Sequence, residues 1–273
     1  ENLKVDLDQT FHCGQNFRWK RQPDGSYLGN PAGHSVRAVR QGEELLLYGA
    51  KAEDEPFWRH YFDADSDYAA LLAPVMDAHL QEALIRCPGI RLLDQPFFET
   101  LICFILSANN NIARITGIVE RFCTIAPRDE NGLHLFPTPQ QVLSAGRDFV
   151  GSIGAGYRAP YLWEAAQRMD DGFDADALRS MDYEEACKTI RTFKGVGEKV
   201  ADCVLLFSCG QKSAFPVDTW VEKLLTQWYG MSGTRSGLKK QARAHFGSYG
   251  GLAQQMLFAS AMQQRLRRTE EKN

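Results

Sequence analysis

The sequence predicts an α+β fold in which a small N-terminal antiparallel sheet precedes a larger all-helical unit. Two observations carry this. Between residues 17 and 47 short β-prone runs alternate with turn signals, and from residue 89 onward nearly every segment repeats apolar residues at helical spacing. Cys87-Pro88-Gly89 forms the break between them. FRWKR, SYLG, VRAVR and LLLYG are separated by PDG, NPAG and QGEE, the pattern of an antiparallel meander. Residues 65–86 change to a helical period through Tyr68, Leu71, Leu72, Val75, Met76, Leu80, Ala83 and Leu84. Pro74 inside that stretch predicts a kink or two short helices. Residues 97–106 are apolar nearly all round, which predicts a core helix. Residues 112–125 are amphipathic, and Thr138-Pro139 opens a helix with proline at its first position. Further helices are expected over 159–169, 183–192, 198–208, 219–229, 239–246 and 252–267. The expected domains are therefore residues 1–88 and residues 89–273.

Composition is that of an ordinary globular chain: 273 residues, 44% hydrophobic and 24% charged. No apolar run reaches the ~18 residues a membrane helix needs, and the N-terminus does not read as a signal peptide. Seven cysteines, without CxxC spacing, predict free buried thiols in a reducing compartment and argue against an iron–sulfur cluster. A net charge of −3 excludes a broad basic field. The charge is uneven: the first 92 residues hold 10 basic and 14 acidic side chains, whereas Arg235, Lys239, Lys240, Arg243, Arg265, Arg267 and Arg268 make the C-terminal end basic. Any nucleic-acid contact must therefore come from a local face of amides and a few arginines.

The chemistry concentrates in FKGVGEKVADCVLLF (193–207) and FPVDTW (215–220). Gly195 and Gly197 permit a positive φ and close backbone approach, and the amides of the turn and of the next helical turn form a site for one phosphate. Lys199 follows beside the apolar Val196, Val200 and Ala201, surroundings that disfavour an ammonium and favour a nucleophilic amine. From position alone it is equally a solvated helix-start lysine, although a helix N-terminus disfavours cations. Asp218 is an ordinary N-cap by position and, in addition, a carboxylate available for acid–base work. Cys203 lies one turn after Lys199 on the same face, and a plain buried thiol is its first reading. Nucleophile, anion-binding turn and carboxylate within one short stretch point to an enzyme acting on a nucleic-acid backbone or its sugar.

These segments resemble the helix-hairpin-helix and Gly/Pro-Asp loop of the HhH-GPD base-excision DNA glycosylases, and more narrowly the 8-oxoguanine DNA glycosylases. GQNFRW (14–19), SANNNIARITGIVERFC (107–123), GAGYRAPY (154–161), GVGEKVADC (195–203), PVD (216–218) and LAQQMLF (252–258) occur in the family's order and span nearly the whole chain. The resemblance implies a TBP-like sheet domain packed on an all-α HhH-GPD domain, with the hairpin at 184–208. It implies excision of 8-oxoguanine opposite cytosine by attack of Lys199 on the deoxyribose C1′, followed by strand cleavage through a lysine imine. Asp218 would stabilise the developing oxocarbenium charge. Gly14, Cys203, Gln254 and Phe258 would line the pocket of the flipped base, where a Gly14 carbonyl would meet the N7 hydrogen that only the lesion carries. A nearby Lys199 ammonium would favour the Cys203 thiolate. By their own chemistry Gly14 is equally a plain turn and Phe258 plain core. Asn109, Arg114, Tyr157 and Arg158 would handle the DNA left behind, with Tyr157 as a wedge and both arginines reading the orphaned cytosine. Asn109 otherwise caps the Ile112 helix, and either arginine equally serves a phosphate or an acidic partner. Gly195, Gly197 and Val200 would meet the DNA backbone.

Departures from the family pattern are specific. Lys194 stands where leucine-proline usually precedes the first glycine, which adds a candidate phosphate contact. Trp220 stands where eukaryotic members carry histidine, so a phosphate contact there gives way to simple packing. A short meander marks a bacterial-type member, cytoplasmic and used at the nucleoid, with a nuclear site expected only in a eukaryote. Two other readings remain: a glycosylase for alkylated purines that uses the aspartate alone, and a non-catalytic DNA-binding hairpin. The expected partner is duplex DNA holding 8-oxoguanine opposite cytosine, bound by a monomer with no membrane. No cofactor is required, and a structural cation on the hairpin carbonyls of Phe193 and Val196 stays open.

Overall fold

A computed structural model describes residues 5–42 and 44–270, with side chains through Gln264. Arg265, Arg267 and Arg268 of the expected basic end therefore have side chains outside the described residues. A short helix α1 (Leu7–Phe11) leads into a four-stranded meander of β1 (Lys20–Arg21), β2 (Tyr27–Gly29), β3 (Val36–Gln41) and β4 (Glu44–Tyr48). The strands pair antiparallel in sequence order, with Tyr27 opposite Ala38 and Val39 opposite Leu46. Helix α2 (Glu55–Tyr61) closes this unit, burying Trp58, Tyr61 and Phe62 with Phe11, Tyr27 and Val36. Pro74 divides the next stretch as expected: α3 (Tyr68–Leu72), a 3-10 turn over Ala73–Val75, then α4 (Ala78–Arg86).

The helical unit comprises α5 (Phe97–Ser107), α6 (Ile112–Cys123), α7 (Pro139–Ser152), α8 (Ala159–Asp170), α9 (Ala177–Ser180), α10 (Tyr183–Ile190), α11 (Glu198–Ser208), α12 (Thr219–Tyr229), α13 (Arg235–Phe246) and α14 (Gly250–Glu270). Apolar patterning sets their depth. Helix α5 buries Glu99 through Leu106 and α11 buries Val200 through Ser208, and the two pack together with Phe104 stacked on Phe207 at 5.5 Å. Helix α4 lies along α14. The two units are stitched through residues 87–96. Gln15, fully buried, donates from Nε2 to the carbonyls of Thr10 and Arg91, accepts Leu93 N–H, and gives its own carbonyl to Gln95. Gln15 thereby satisfies the Arg91 carbonyl and the Leu93 amide of that loop from within the protein.

Two contacts hold α11 in place. Gly195 takes φ +82°, and a Cβ there would stand 2.6 Å from Cδ2 of Tyr161, so a glycine lets the α8 aromatic lie on the hairpin backbone. Gly197 differs from expectation: as N-cap of α11 its φ of −86° needs no glycine, and a Cβ would meet open space. Further along, Asp202 is buried with its Oδ1 accepting from Tyr183 Oη at 2.5 Å and the Lys239 ammonium 2.8 Å from Oδ2. Burial pushes this carboxyl up to about 6 although Lys239, Tyr183 and Arg243 all pull it down.

Gly195→Ala should destabilise the fold by about 1–3 kcal/mol through strain and overlap, and Gly197→Ala by less than about 1 kcal/mol, both read from denaturant midpoints. A second outcome follows from Asp202. Its folded pKa lies above its unfolded value, so its contribution to stability is complete below about pH 4 and is lost as pH rises through 6. The stability difference between wild type and Asp202→Asn should accordingly fall between pH 4 and 6 and level off above, measured by unfolding at stepped pH.

Candidate active site

Lys199 occupies the second position of α11, half-buried, with its Nζ 3.2 Å from Ser107 Oγ and 5.2 Å from the centre of the Phe104 ring. Phe104 touches Phe17 of the GQNFRW loop, centroids 5.8 Å apart, which brings the lysine and the first sequence block to the same place. Asp218 caps α12: its Oδ1 accepts the amides of Trp220 and Val221, both at 2.9 Å. The cap predicted from position is real, and it engages Oδ1 alone. Among the described residues no ion pair within 4 Å joins Asp218 to Lys199.

Cys203 adjoins both groups, and its thiol responds to each. The Lys199 ammonium pulls it down and the Asp218 carboxylate pushes it up, but burial is the largest influence and carries it up to about 11. The expected thiolate is thus overruled by desolvation: a fully enclosed sulfur costs more to ionise than one neighbouring cation returns. All seven cysteines are buried and free, as expected from their spacing.

A second group comes from the N-terminal loop and α14. Gly14 adopts φ +77°, and a Cβ on it would meet only Phe258 Cε1, at 4.0 Å. The positive φ favours glycine here, and the loop passes within contact distance of the Phe258 ring. Gln255 donates from Nε2 to the Cys13 carbonyl at 3.3 Å and so ties the loop to the helix. Gln254, one residue earlier, is buried, and its Oε1 has no hydrogen-bond partner among the described residues. A buried amide oxygen left alone costs free energy unless something arrives to donate to it.

A third group lies at the end of α5. Asn109 is exposed and holds φ +48°, a conformation asparagine tolerates, and the N-cap of α6 is Asn111, which accepts the Arg114 amide at 3.0 Å. Capping therefore does not account for Asn109. Tyr157 is 60% exposed, and its ring meets the Tyr161 edge. Arg114 is exposed, with no side-chain partner among the described residues. Arg158 is different: buried, it donates to the carbonyls of Ala108, Asn109 and Ala155 and lies 4.3 Å from the Tyr157 ring centre. It is the strut of the Asn109 loop. Val200 has its side chain in the core, so only its amide, at the third position of α11, can face outward. Lys194 pairs with Glu164 at 3.1 Å, and Trp220, 46% exposed and two residues after Asp218, has the Lys223 ammonium 5.8 Å from its ring centre. Phe193 gives its carbonyl to Val196 N–H at 3.2 Å in the hairpin.

Sequence reasoning missed Gln15, Gln255 and Ser107. Nothing in the residue types marked them; each matters through a contact with a distant segment.

The sequence and the fold have known relatives. Residues 1–101 match the model of the 8-oxoguanine DNA glycosylase N-terminal domain, and residues 102–248 that of the HhH-GPD superfamily base excision DNA repair protein. The N-glycosylase/DNA lyase OGG1 of Arabidopsis thaliana is 31% identical over 286 residues, 96% of this chain and 78% of that protein. The N-glycosylase/DNA lyase of Saccharomyces cerevisiae is 29% identical, covering 86% and 71% respectively. The Clostridium acetobutylicum 8-oxoguanine glycosylase/lyase, solved with duplex DNA containing cytosine opposite 8-oxoG, superposes with a TM-score of 0.90 at 33% identity, over 96% of this chain and 93% of that one. No helix among the described residues is long and apolar enough to cross a membrane. The chain belongs to the 8-oxoguanine DNA glycosylase family, within the HhH-GPD superfamily of base-excision repair proteins.

Proposed function

We propose that this protein excises 8-oxoguanine opposite cytosine from duplex DNA and then cleaves the strand as a lyase. The observation that carries the reading is Lys199 itself: a half-buried amine against Phe104, with Cys203 and the Asp218 carboxylate as electrostatic neighbours. The amine nitrogen forms a bond to C1′ while the bond from C1′ to the base breaks. The electron pair leaves on the base nitrogen, which takes up a proton. The nitrogen loses its extra protons and the sugar opens to an imine, its ring oxygen becoming a hydroxyl. Loss of a C2′ proton then expels the 3′ phosphate, and water releases the lysine. Asp218, with Oδ2 not used in capping, offsets positive charge as the C1′ bond loosens.

Selectivity arises where the N-terminal loop meets α14. The Gly14 carbonyl accepts the N7 hydrogen of the lesion and opposes the N7 lone pair of guanine. Gln254 Oε1 takes a donor from the purine edge, and Phe258 stacks on the base. Cys203 serves as a neutral thiol in the pocket wall. An unmade polar contact in such an enclosed site costs about 1–3 kcal/mol.

The amides of Gly195, Gly197 and Val200 face one phosphate. Tyr157 enters the kinked step and Asn109 the vacated space, and Arg114 donates to the O2 and N3 acceptors of the orphaned cytosine. Arg158 reaches that cytosine only by giving up loop carbonyls, so in the free protein it shapes the loop from within. The lysine route consumes no metal or redox cofactor; a cation on the Phe193 and Val196 carbonyls would only firm the turn. The enzyme acts as a monomer wherever the chromosome is held.

Borohydride trapping on an 8-oxoguanine:cytosine duplex should give a covalent adduct with wild type and none with Lys199→Gln or with an undamaged duplex. Absence of any wild-type adduct despite tight binding would favour an aspartate-only glycosylase or a binding module. Asp218→Asn separates the carboxylate's two roles. Asparagine caps as well as aspartate, so stability should hold within about 0.5 kcal/mol while single-turnover excision falls on the order of 100-fold or more.

A further inference from the structure

We propose that Ser107 positions the lysine nucleophile, an inference that rests on the reading of Lys199 as the attacking amine. Ser107 closes α5, its Oγ 2.8 Å from the Phe104 carbonyl and 3.2 Å from Lys199 Nζ. A hydroxyl has one proton to give. Here that proton goes to the Phe104 carbonyl, three residues back, so the oxygen turns a lone pair to the lysine and accepts N–H from it. The direction of the bond matters for attack. A neutral amine has two hydrogens and one lone pair, and it attacks C1′ only when that lone pair points at the sugar.

Ser107 holds one N–H, which ties the amine to the end of α5. The lone pair can then turn only about that held N–H. Phe104 limits the rest of the freedom by placing its ring 5.2 Å from the nitrogen. The support is itself fixed: Ala108 and Asn109, the next two residues, give their carbonyls to the buried Arg158. Without Ser107 a long, rotamer-rich side chain would have to find the attacking geometry by chance.

The test uses two duplexes, one holding 8-oxoguanine opposite cytosine and one holding a preformed abasic site opposite cytosine. Both arms need the lysine, whereas only the first needs the base pocket. Single-turnover borohydride trapping is measured for wild type, Ser107→Ala, Ser107→Thr and Lys199→Gln, with duplex affinity and thermal midpoint alongside. Ser107→Ala should slow trapping about tenfold on both duplexes, with affinity and midpoint unchanged. Ser107→Thr, which keeps the hydroxyl, should recover most of the rate. Equal rates for Ser107→Ala and wild type would overturn the proposal. So would slowing on the 8-oxoguanine duplex alone, which would place Ser107 in base recognition, or a threonine variant as slow as alanine. A wild-type protein that traps neither duplex would remove the nucleophile, and the role of Ser107 with it, a result distinct from all of these.

Discussion

The immobility of α11 is the constraint on which the site depends. The helix is buried from Val200 to Ser208, so it has no freedom to slide or roll against α5. Tyr161 lies on the hairpin through the space that Gly195 leaves open, and Asp202 ties the helix to α10 and α13 through Tyr183 and Lys239. With the helix fixed, its first turn is fixed too. Three functions then share one short stretch: free amides aimed outward, a lysine aimed across at α5, and a thiol one turn below. A DNA phosphate on those amides, as proposed, would be held at a set distance from the amine.

Burial acts on the thiol beside that lysine more strongly than neighbouring charges do. Cys203 shows it: an ammonium lies beside the sulfur, yet enclosure keeps the thiol protonated. A neutral sulfur fits the proposed base pocket, since a thiolate there would repel the purine carbonyls. Gln254 presents the complementary case, a buried oxygen waiting for a donor. A ligand edge that donates to this oxygen would recover that cost, which under the proposed reading favours selectivity over tightness.

Much of this was legible in the sequence. The meander, the break at Pro74, the helix starts at Thr138-Pro139 and at Asp218, and the burial of α5 and α11 all followed from periodicity and capping chemistry. Short elements were not: α1, α2 and α9 are too brief for a period to emerge, and they form because the sheet and the hairpin need covering. Within the site, motif spacing drew attention to Lys199 and Asp218 but not to the surroundings of two neighbours. Arg158, expected to reach an orphaned cytosine, is buried against the Asn109 loop in the free protein; Gly197 reads like Gly195 and lacks its backbone requirement. Both differences have one origin. Whether a side chain is free depends on segments about 50 residues away (Ala108 for Arg158) or on a partner ring such as Tyr161, and neither is visible in local sequence.

One pocket, walled by Gly14, Gln254 and Phe258, is proposed to present the lesion's C1′ to residue 199. A crystal structure of Lys199→Gln with an 8-oxoguanine:cytosine duplex decides this. The lesion is expected outside the helix, its N7 about 3 Å from the Gly14 carbonyl, with Gln254 Oε1 accepting from the base edge and C1′ facing Gln at 199. A lesion still stacked in the duplex, or lodged elsewhere with Gln254 unpaired, would contradict it.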